Sequence, residues 1–288
     1  MVEIKDFSFR YPDAANFALR EINLKIPRGD FVGITGASDA GKSTLAYAMN
    51  GVIPHHYSGD FYGEVLLDGQ DTVTTPLSGL AKSAASVFGD IDAQMVSMVV
   101  EDEIMFGMEN YGIPYREAKD RMDSLLHMAG IGELKQRVIN TLSGGQKQKV
   151  LLCAAMALLP KVLILDEPTA ELDPYSSIQI FQMLKTLNEE FNTTIIIVEQ
   201  KIALLCEYVR HMAVLLDGTL LAYGPVEAVA ADGQALERAG VHCPRIVTLA
   251  RRLQTTGLYN GKIPTSMAQA ERMVQEILQT SGRMEAVI

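Results

Sequence analysis

The residues best placed to do chemistry are Gly36, Gly41, Lys42 and Ser43, spaced as G-x4-G-K-S within the stretch Phe31 to Asn50, FVGITGASDAGKSTLAYAMN. An apolar run ending at Thr35 reads as a buried strand and Ser43 to Asn50 as a helix with an apolar stripe, so the glycines fall on a strand-to-helix turn. Backbone N–H groups converging at a helix N-terminus bind phosphate. Lys42 then adds a point charge towards the β- and γ-phosphates, and the Ser43 hydroxyl can ligate Mg²⁺. The candidate nucleotide cradle is Gly36, Ala37, Ser38, Asp39, Ala40, Gly41, Lys42, Ser43 and Thr44. A chance glycine-rich turn is the bland alternative, and the strand before and helix after argue against it. Asp39 would repel phosphate if it pointed inward. As a residue that tolerates left-handed backbone, it is expected to face outward.

Two further stretches carry chemistry. Leu142-Ser143-Gly144-Gly145-Gln146 stands directly before the helical run Lys147 to Leu159, so a second glycine-bearing loop opens onto a helix N-terminus suited to an anion. Lys161 to Glu167, KVLILDE, is an apolar strand ending in adjacent acids. At the mouth of a parallel sheet, Asp166 would hold Mg²⁺ and Glu167 would polarise an attacking water. The same two acids could merely cap the next helix, a reading that the neighbouring phosphate loop disfavours. Tyr11 can stack on adenine or serve as ordinary packing.

Val2 to Lys25 alternates polar and apolar, which predicts antiparallel strands, and Gly63 to Gly69 predicts a strand closed by an Asp-Gly turn. From Ala84 to Asn140 helical spacing dominates, including Glu101 to Met108 and Arg116 to Ala129, which predicts a helical insert. Ile178 to Asn188 reads as an amphipathic helix, Thr194 to Val198 as a buried strand and Ala213 to Tyr223 as a hairpin turning at Asp217-Gly218. Beyond Pro225 come polar-faced helical runs, Val226 to Ala239, Pro244 to Gln254 and Ser266 to Gln279, the last two with apolar stripes Ile246, Leu249, Ala250, Leu253 and Ala270, Met273, Val274, Ile277.

The totals set limits. A chain of 288 residues suits a main domain with an appendage. No stretch approaches the ~18 continuous apolar residues of a membrane span, and MVEIKDFSF lacks a signal-peptide pattern, so a cytoplasmic protein is expected. A net charge of −10 argues against binding nucleic acid or an anionic bilayer, while docking on a membrane protein stays open. Cys153, Cys206 and Cys243 lack metal-ligand spacing and read as reduced, buried small hydrophobes. His55, His56, His127, His211 and His242 read as structural or solvated.

Taken together, the phosphate loop at Gly36 to Ser43, LSGGQ at Leu142 to Gln146, the Asp166-Glu167 strand and the following Ala170-Glu171-Leu172-Asp173 resemble an ATP-binding-cassette ATPase, in the family's order. The resemblance spans about Val2 to Val229. It implies an α/β fold, a P-loop NTPase cassette with a parallel core sheet, an antiparallel β subdomain and a helical subdomain at about 90–150; the helical runs beyond it predict a small C-terminal helical domain at 230–288, its apolar stripes buried against the main domain or against a second tail, with subunit pairing as the expected role. It implies Tyr11 on adenine, the loop residues on ATP, Ser43 and Asp166 on Mg²⁺, Glu167 as general base, and Ser143, Gly144, Gly145 and Gln146 closing the site of a second cassette, in a homo- or heterodimer held head to tail.

The run DIDAQMVSMVVEDEIMFGMEN, with Gln94, and the tail VHCPRIVTLARRL and KIPTSMAQAERMV resemble more narrowly the ATPase subunits of energy-coupling-factor transporters for vitamins and transition metals. That implies a peripheral subunit at the cytoplasmic face of the cell membrane, driving a transmembrane coupling protein and through it a substrate-binding membrane protein. Two departures stand out. Where the family it resembles has a glutamine that contacts Mg²⁺ and the attacking water, this chain has Gly89, and where the family has a histidine that contacts the γ-phosphate, it has Gln200. Gln200 can hydrogen-bond phosphate but cannot become cationic. The expectation is an ATPase whose own site is impaired, the alternative being a weakly hydrolytic, nucleotide-switched cassette that completes a partner's site. Gln200, together with Gln94 swinging towards the metal, would be one way to replace the missing pair.

Overall fold

The computed structural model describes residues 1–285. Strands β1 (Val2–Arg10) and β2 (Leu19–Ile26) precede β3 (Phe31–Gly36), which leads into helix α1 (Lys42–Met49). The short turn α2 (Val52–His55) follows, then β4 (Asp60–Leu67), β5 (Gln70–Asp71), α3 (Leu77–Leu80) and β6 (Ala84–Val87). Helices α4 (Val100–Asn110), α5 (Tyr115–Met128) and α6 (Gly144–Ala157) come next, and then β7 (Val162–Asp166), α7 (Pro174–Phe191), β8 (Thr194–Val198) and α8 (Ile202–Tyr208). The hairpin β9 (His211–Leu216) and β10 (Thr219–Pro225) leads to α9 (Val226–Asp232), α10 (Gln234–Arg238), α11 (Arg245–Thr255) and α12 (Met267–Glu285).

These strands make two sheets. One is antiparallel, in the order β2-β1-β4-β5; the other runs β10-β9-β3-β8-β7-β6 and is parallel except for its terminal hairpin. The parallel strands are buried on both faces, which is why they read as unbroken apolar runs. Side chains alternate between two cores. Val32, Ile34, Val162, Ile164, Ile196 and Val198 pack with α1 and the antiparallel sheet. Phe31, Leu163, Leu165, Ile195 and Ile197 pack with the helices.

One expectation is corrected. Ala84 to Val87, expected within the helical insert, is instead the parallel edge strand β6, with Ala84 opposite Val162 and Val87 opposite Leu165. Four residues cannot show helical periodicity, and the open edge of β7 decides their conformation. From there to α4 the only helical feature is a 3₁₀ turn at Asp92–Gln94.

In the tail, Val226 to Ala239 is broken at Gly233 (φ 59°), and Ala230, Leu236, Ala239 and Val247 join the main core. Arg251 ties α11 to α9 by donating to the carbonyls of Ala230 and Ala231 at 3.0 and 2.6 Å. Farther out, Ala250, Tyr259 and Met273 form a small core of their own. Leu249 and Val274, expected on the apolar stripes, are 49% and 46% exposed.

Strand register sets up the functional edge. Ile34 and Asp166 both lie level with Val198, so the chain leaves three neighbouring strands together at their carboxyl ends, where open α/β sheets bind ligands.

Candidate nucleotide site

At that edge lies a cavity of about 500 Å³, lined by Tyr11, Ala18, Ser38, Asp39, Gly41, Lys42, Ser43, Thr44, Gly89, Asp166, Glu167 and Gln200. Its floor is the turn from β3 to α1. Glycine is required at both ends of that turn. Gly36 has φ 152° and a Cβ there would meet the Leu215 carbonyl oxygen at 2.3 Å; Gly41 has φ 95° and a Cβ would meet the Ala18 oxygen at 2.6 Å. Helix α1 begins with no side-chain cap, which leaves its first N–H groups to an anion. Lys42, 6% exposed, donates to the carbonyls of Gly36 at 3.1 Å and Ala37 at 2.7 Å. Its charge is thus already aimed across the turn.

Asp39 takes the left-handed conformation foreseen for it, φ 61°, and is exposed, but it borders the cavity instead of facing away from it as expected. Gly36, Ala37 and Ala40 shape the turn without lining the cavity. Tyr11 lines it, its hydroxyl 3.1 Å from Thr44 Oγ1 and its ring edge-on to Phe9 and Tyr57. Tyr57 stacks on Tyr47, which meets Phe88, so aromatic rings run from Tyr11 to the residue before Gly89. Ala18 is a lining residue that sequence reasoning missed. Its place follows from cross-strand pairing near Phe9, which leaves no mark on local sequence.

The two acids have different surroundings. Asp166 is 6% exposed, and burial raises its pKa above the ordinary carboxylate value; a hydrogen bond with Ser43 and the Lys42 charge oppose this, and the neighbouring Glu167 adds to it. Its Oδ1 is buried without a hydrogen-bond partner. An orphaned carboxylate oxygen beside a serine hydroxyl, next to a phosphate cradle, fits an oxygen-seeking divalent cation such as Mg²⁺, which takes few protein ligands and completes its shell with phosphate and water. The described residues contain no group of three or more His, Cys, Asp or Glu that could hold a metal by themselves. Glu167 takes the left-handed conformation, φ 50°, its N–H bonded to the Val198 carbonyl at 2.9 Å. Its Oε1 accepts a hydrogen bond from Gln200 Nε2 at 2.6 Å.

Gly89 borders the same cavity. A Cβ there would find only the Asp166 carbonyl oxygen, at 3.7 Å, so crowding does not explain the missing side chain. Gln94 does not line the cavity: its amide donates to the Phe88 and Asp90 carbonyls at 2.8 and 2.6 Å, and its Oε1 accepts from Phe88 N–H at 2.9 Å. Swinging towards a metal would break all three bonds. Gln94 therefore holds the backbone around Gly89 instead of replacing its side chain.

Ser143, Gly144, Gly145 and Gln146 lie outside the cavity. They form the N-terminus of α6, where Ser143 Oγ accepts from Gln146 N–H at 3.3 Å and Gln146 Oε1 accepts from Ser143 N–H at 3.0 Å, a capping box. Lys147 pairs with Asp92 at 2.6 Å, fastening this helix to the 3₁₀ turn beyond Gly89. The three cysteines are unpaired, and burial pushes Cys153 and Cys206 up to about 12, as inert core thiols require. No described helix is long and apolar enough to cross a membrane.

Comparison with known proteins places these features in a family. A family profile described as ABC transporter matches residues 19–170. An ABC transporter ATP-binding protein of Pyrococcus horikoshii is 36% identical over 265 residues, 92% of this chain and 93% of that protein. One from Methanosarcina acetivorans is 35% identical over 97% of this chain, which spans only 45% of that longer relative. Among solved structures, cbiO1 of Clostridium perfringens, described as part of the ABC transporter complex cbiONQ, aligns with a TM-score of 0.74 and 32% identity over 87% of this chain and 98% of its own. The ATP-binding cassette MJ0796, solved as a dimer bound to ADP and Pi, aligns with a TM-score of 0.68 and 27% identity over 78% of this chain and 99% of its own.

Proposed function

The chain belongs to the ABC transporter family of ATPases, and on that premise we propose that it powers an importer of the energy-coupling-factor type, for a vitamin or a transition metal. That it binds and hydrolyses ATP as part of a transporter follows from the family. The finer reading is supported by the likeness to cbiO1 over most of the chain, together with the run around Gln94 and the helical tail. Its partners would be a second cassette, identical or different, a transmembrane coupling protein and, indirectly, a substrate-binding membrane protein. The chain would sit peripherally at the cytoplasmic face of the membrane, with residues 1–229 as the nucleotide-binding domain, the expected C-terminal domain at 230–288 packed onto it through Ala230 to Val247, and the helices beyond pairing subunits.

The observation that carries the site reading is the convergence of the β3–α1 turn, Asp166, Glu167 and Gln200 on one cavity while LSGGQ stays outside it. The turn and Lys42 would bind the phosphates and Tyr11 the adenine. Ser43 and Asp166 would hold Mg²⁺, which when bound neutralises phosphate charge. Glu167 would take the proton of the attacking water, with Gln200 fixing its carboxylate. Ser143 to Gln146 would close on the ATP of a second cassette. Positioning and electrostatics carry most of phosphoryl transfer, so losing the contacts at Gly89 and Gln200 slows chemistry more than binding.

A second reading is favoured by those same positions: a weakly hydrolytic cassette that mainly completes its partner's site. Purification from membranes with bound proteins identified tests the transporter reading, which predicts a second cassette and a coupling membrane protein. Turnover with and without that cassette separates the two readings.

A further inference from the structure

Lys201 belongs to neither nucleotide loop, yet its ammonium is fully engaged. It donates to the carbonyls of Thr169 at 2.6 Å and Leu172 at 3.1 Å and to Ser177 Oγ at 2.8 Å. Three separate oxygens suit the three diverging donors of an ammonium. On the other side of Gln200, Glu199 is 1% exposed. Its Oε1 accepts from the N–H groups of Gln200 at 2.8 Å and Lys201 at 3.1 Å, and its Oε2 accepts the Thr169 hydroxyl. Gln200 thus stands between two residues anchored to one segment, Thr169 to Ser177. That segment also supports the second loop: a Cβ on Gly144 would meet Leu172 Cδ2 at 3.7 Å, and one on Gly145 would meet Ser176 Oγ at 3.2 Å.

We propose that Lys201 and Glu199 are positioning residues for hydrolysis, which set where the Gln200 amide meets Glu167 and lock that contact to the turn supporting LSGGQ. The physical reason is the exposure of Gln200, whose side chain projects from a loop, so that the reach of its amide to Glu167 depends on where its backbone is held. Two anchors on one segment fix that position and tie the cavity edge to the LSGGQ edge. Lys201 does not line the cavity, so its effect on ATP must pass through these contacts.

The inference rests on Glu167 as the base. The test is a double-mutant cycle on steady-state ATP turnover of the full chain, with the cassette partner present. Lys201→Met is expected to lower kcat about tenfold and leave KM for ATP unchanged, the loss expected when several hydrogen bonds holding a catalytic contact go. In a Gln200→Ala background the same substitution should cost less than twofold, because the contact it serves is gone. Ser177→Ala, which removes one acceptor and keeps the rest of the clamp, should give a smaller loss of the same kind and carries the comparison if Lys201→Met does not fold. Equal losses in both backgrounds would overturn the proposal and make the clamp purely structural. Turnover surviving in Glu167→Gln would instead remove the reading of the base, so the two failures are distinguishable.

Discussion

Gln200 donates its amide N–H to the carboxylate of Glu167 across 2.6 Å, joining the ends of two neighbouring parallel strands. A histidine at this position could become cationic and donate to phosphate. Gln200 cannot titrate, and here it is turned to the acid. Glu167→Gln keeps an oxygen to accept that bond, so the cavity should retain its shape. Turnover is expected to fall about 10²- to 10⁴-fold with ATP affinity unchanged, and the nucleotide-bound pair should persist. Size-exclusion chromatography in saturating Mg-ATP checks this, and a monomer would count against head-to-tail pairing.

Lys42→Ala removes the buried cation and both of its carbonyl contacts. A charge-assisted bond is worth about 1.5 to 3 kcal/mol, so ATP affinity should drop roughly ten- to a hundredfold. Titration with a fluorescent ATP analogue measures it, and unchanged affinity would mean that the loop is decorative.

Asp166 gives a pH prediction. Burial raises its folded-state pKa, so between the unfolded and folded values the folded chain holds the extra proton. Stability from this group is present below the unfolded pKa and is lost as pH rises through the folded pKa. Asp166→Asn should therefore raise Tm in metal-free buffer at pH 7, with the gain shrinking as the pH falls through the carboxylate range. Calorimetry at the two ends shows it. A mutant that is less stable at neutral pH would mean that the buried carboxylate is not under strain.

The tail presents Met267, Val274 and Leu278, all exposed, along one stripe of α12. If this stripe pairs subunits, Val274→Glu with Leu278→Glu should weaken pairing at least about tenfold and leave ATP affinity unchanged. Sedimentation equilibrium reports it. Cutting after Val229 is a poorer test, because Ala230, Leu236, Ala239 and Val247 belong to the main core.

What could be read from sequence was whatever a local pattern encodes. The glycine spacing of the β3–α1 turn, the apolar strand before Asp166 and the glycine-bearing loop opening onto α6 all concern neighbours within a few residues. What could not be read depends on partners distant in the chain. Ala84 to Val87 became a strand because β7 offered an edge, 78 residues away at Ala84 and Val162. Gln94 looked able to reach a metal, but its bonds to Phe88 and Asp90 depend on a turn that no propensity specifies. The anchoring of Lys201 to Thr169 and Leu172 spans about thirty residues and has no sequence mark.

ATP turnover of the wild-type chain beside Gly89→Gln/Gln200→His tests directly whether the site is impaired. There is room for a side chain at Gly89, with the nearest atom to an added Cβ 3.7 Å away. If each restored contact is worth about 1 to 3 kcal/mol in the transition state, the double mutant should hydrolyse ATP roughly 30-fold faster or more, with little change in ATP affinity. The wild-type chain should gain turnover when paired with a cassette carrying that glutamine and histidine. A wild-type rate equal to that of the double mutant, with no gain from any partner cassette, would mean that Gly89 and Gln200 do not impair the site.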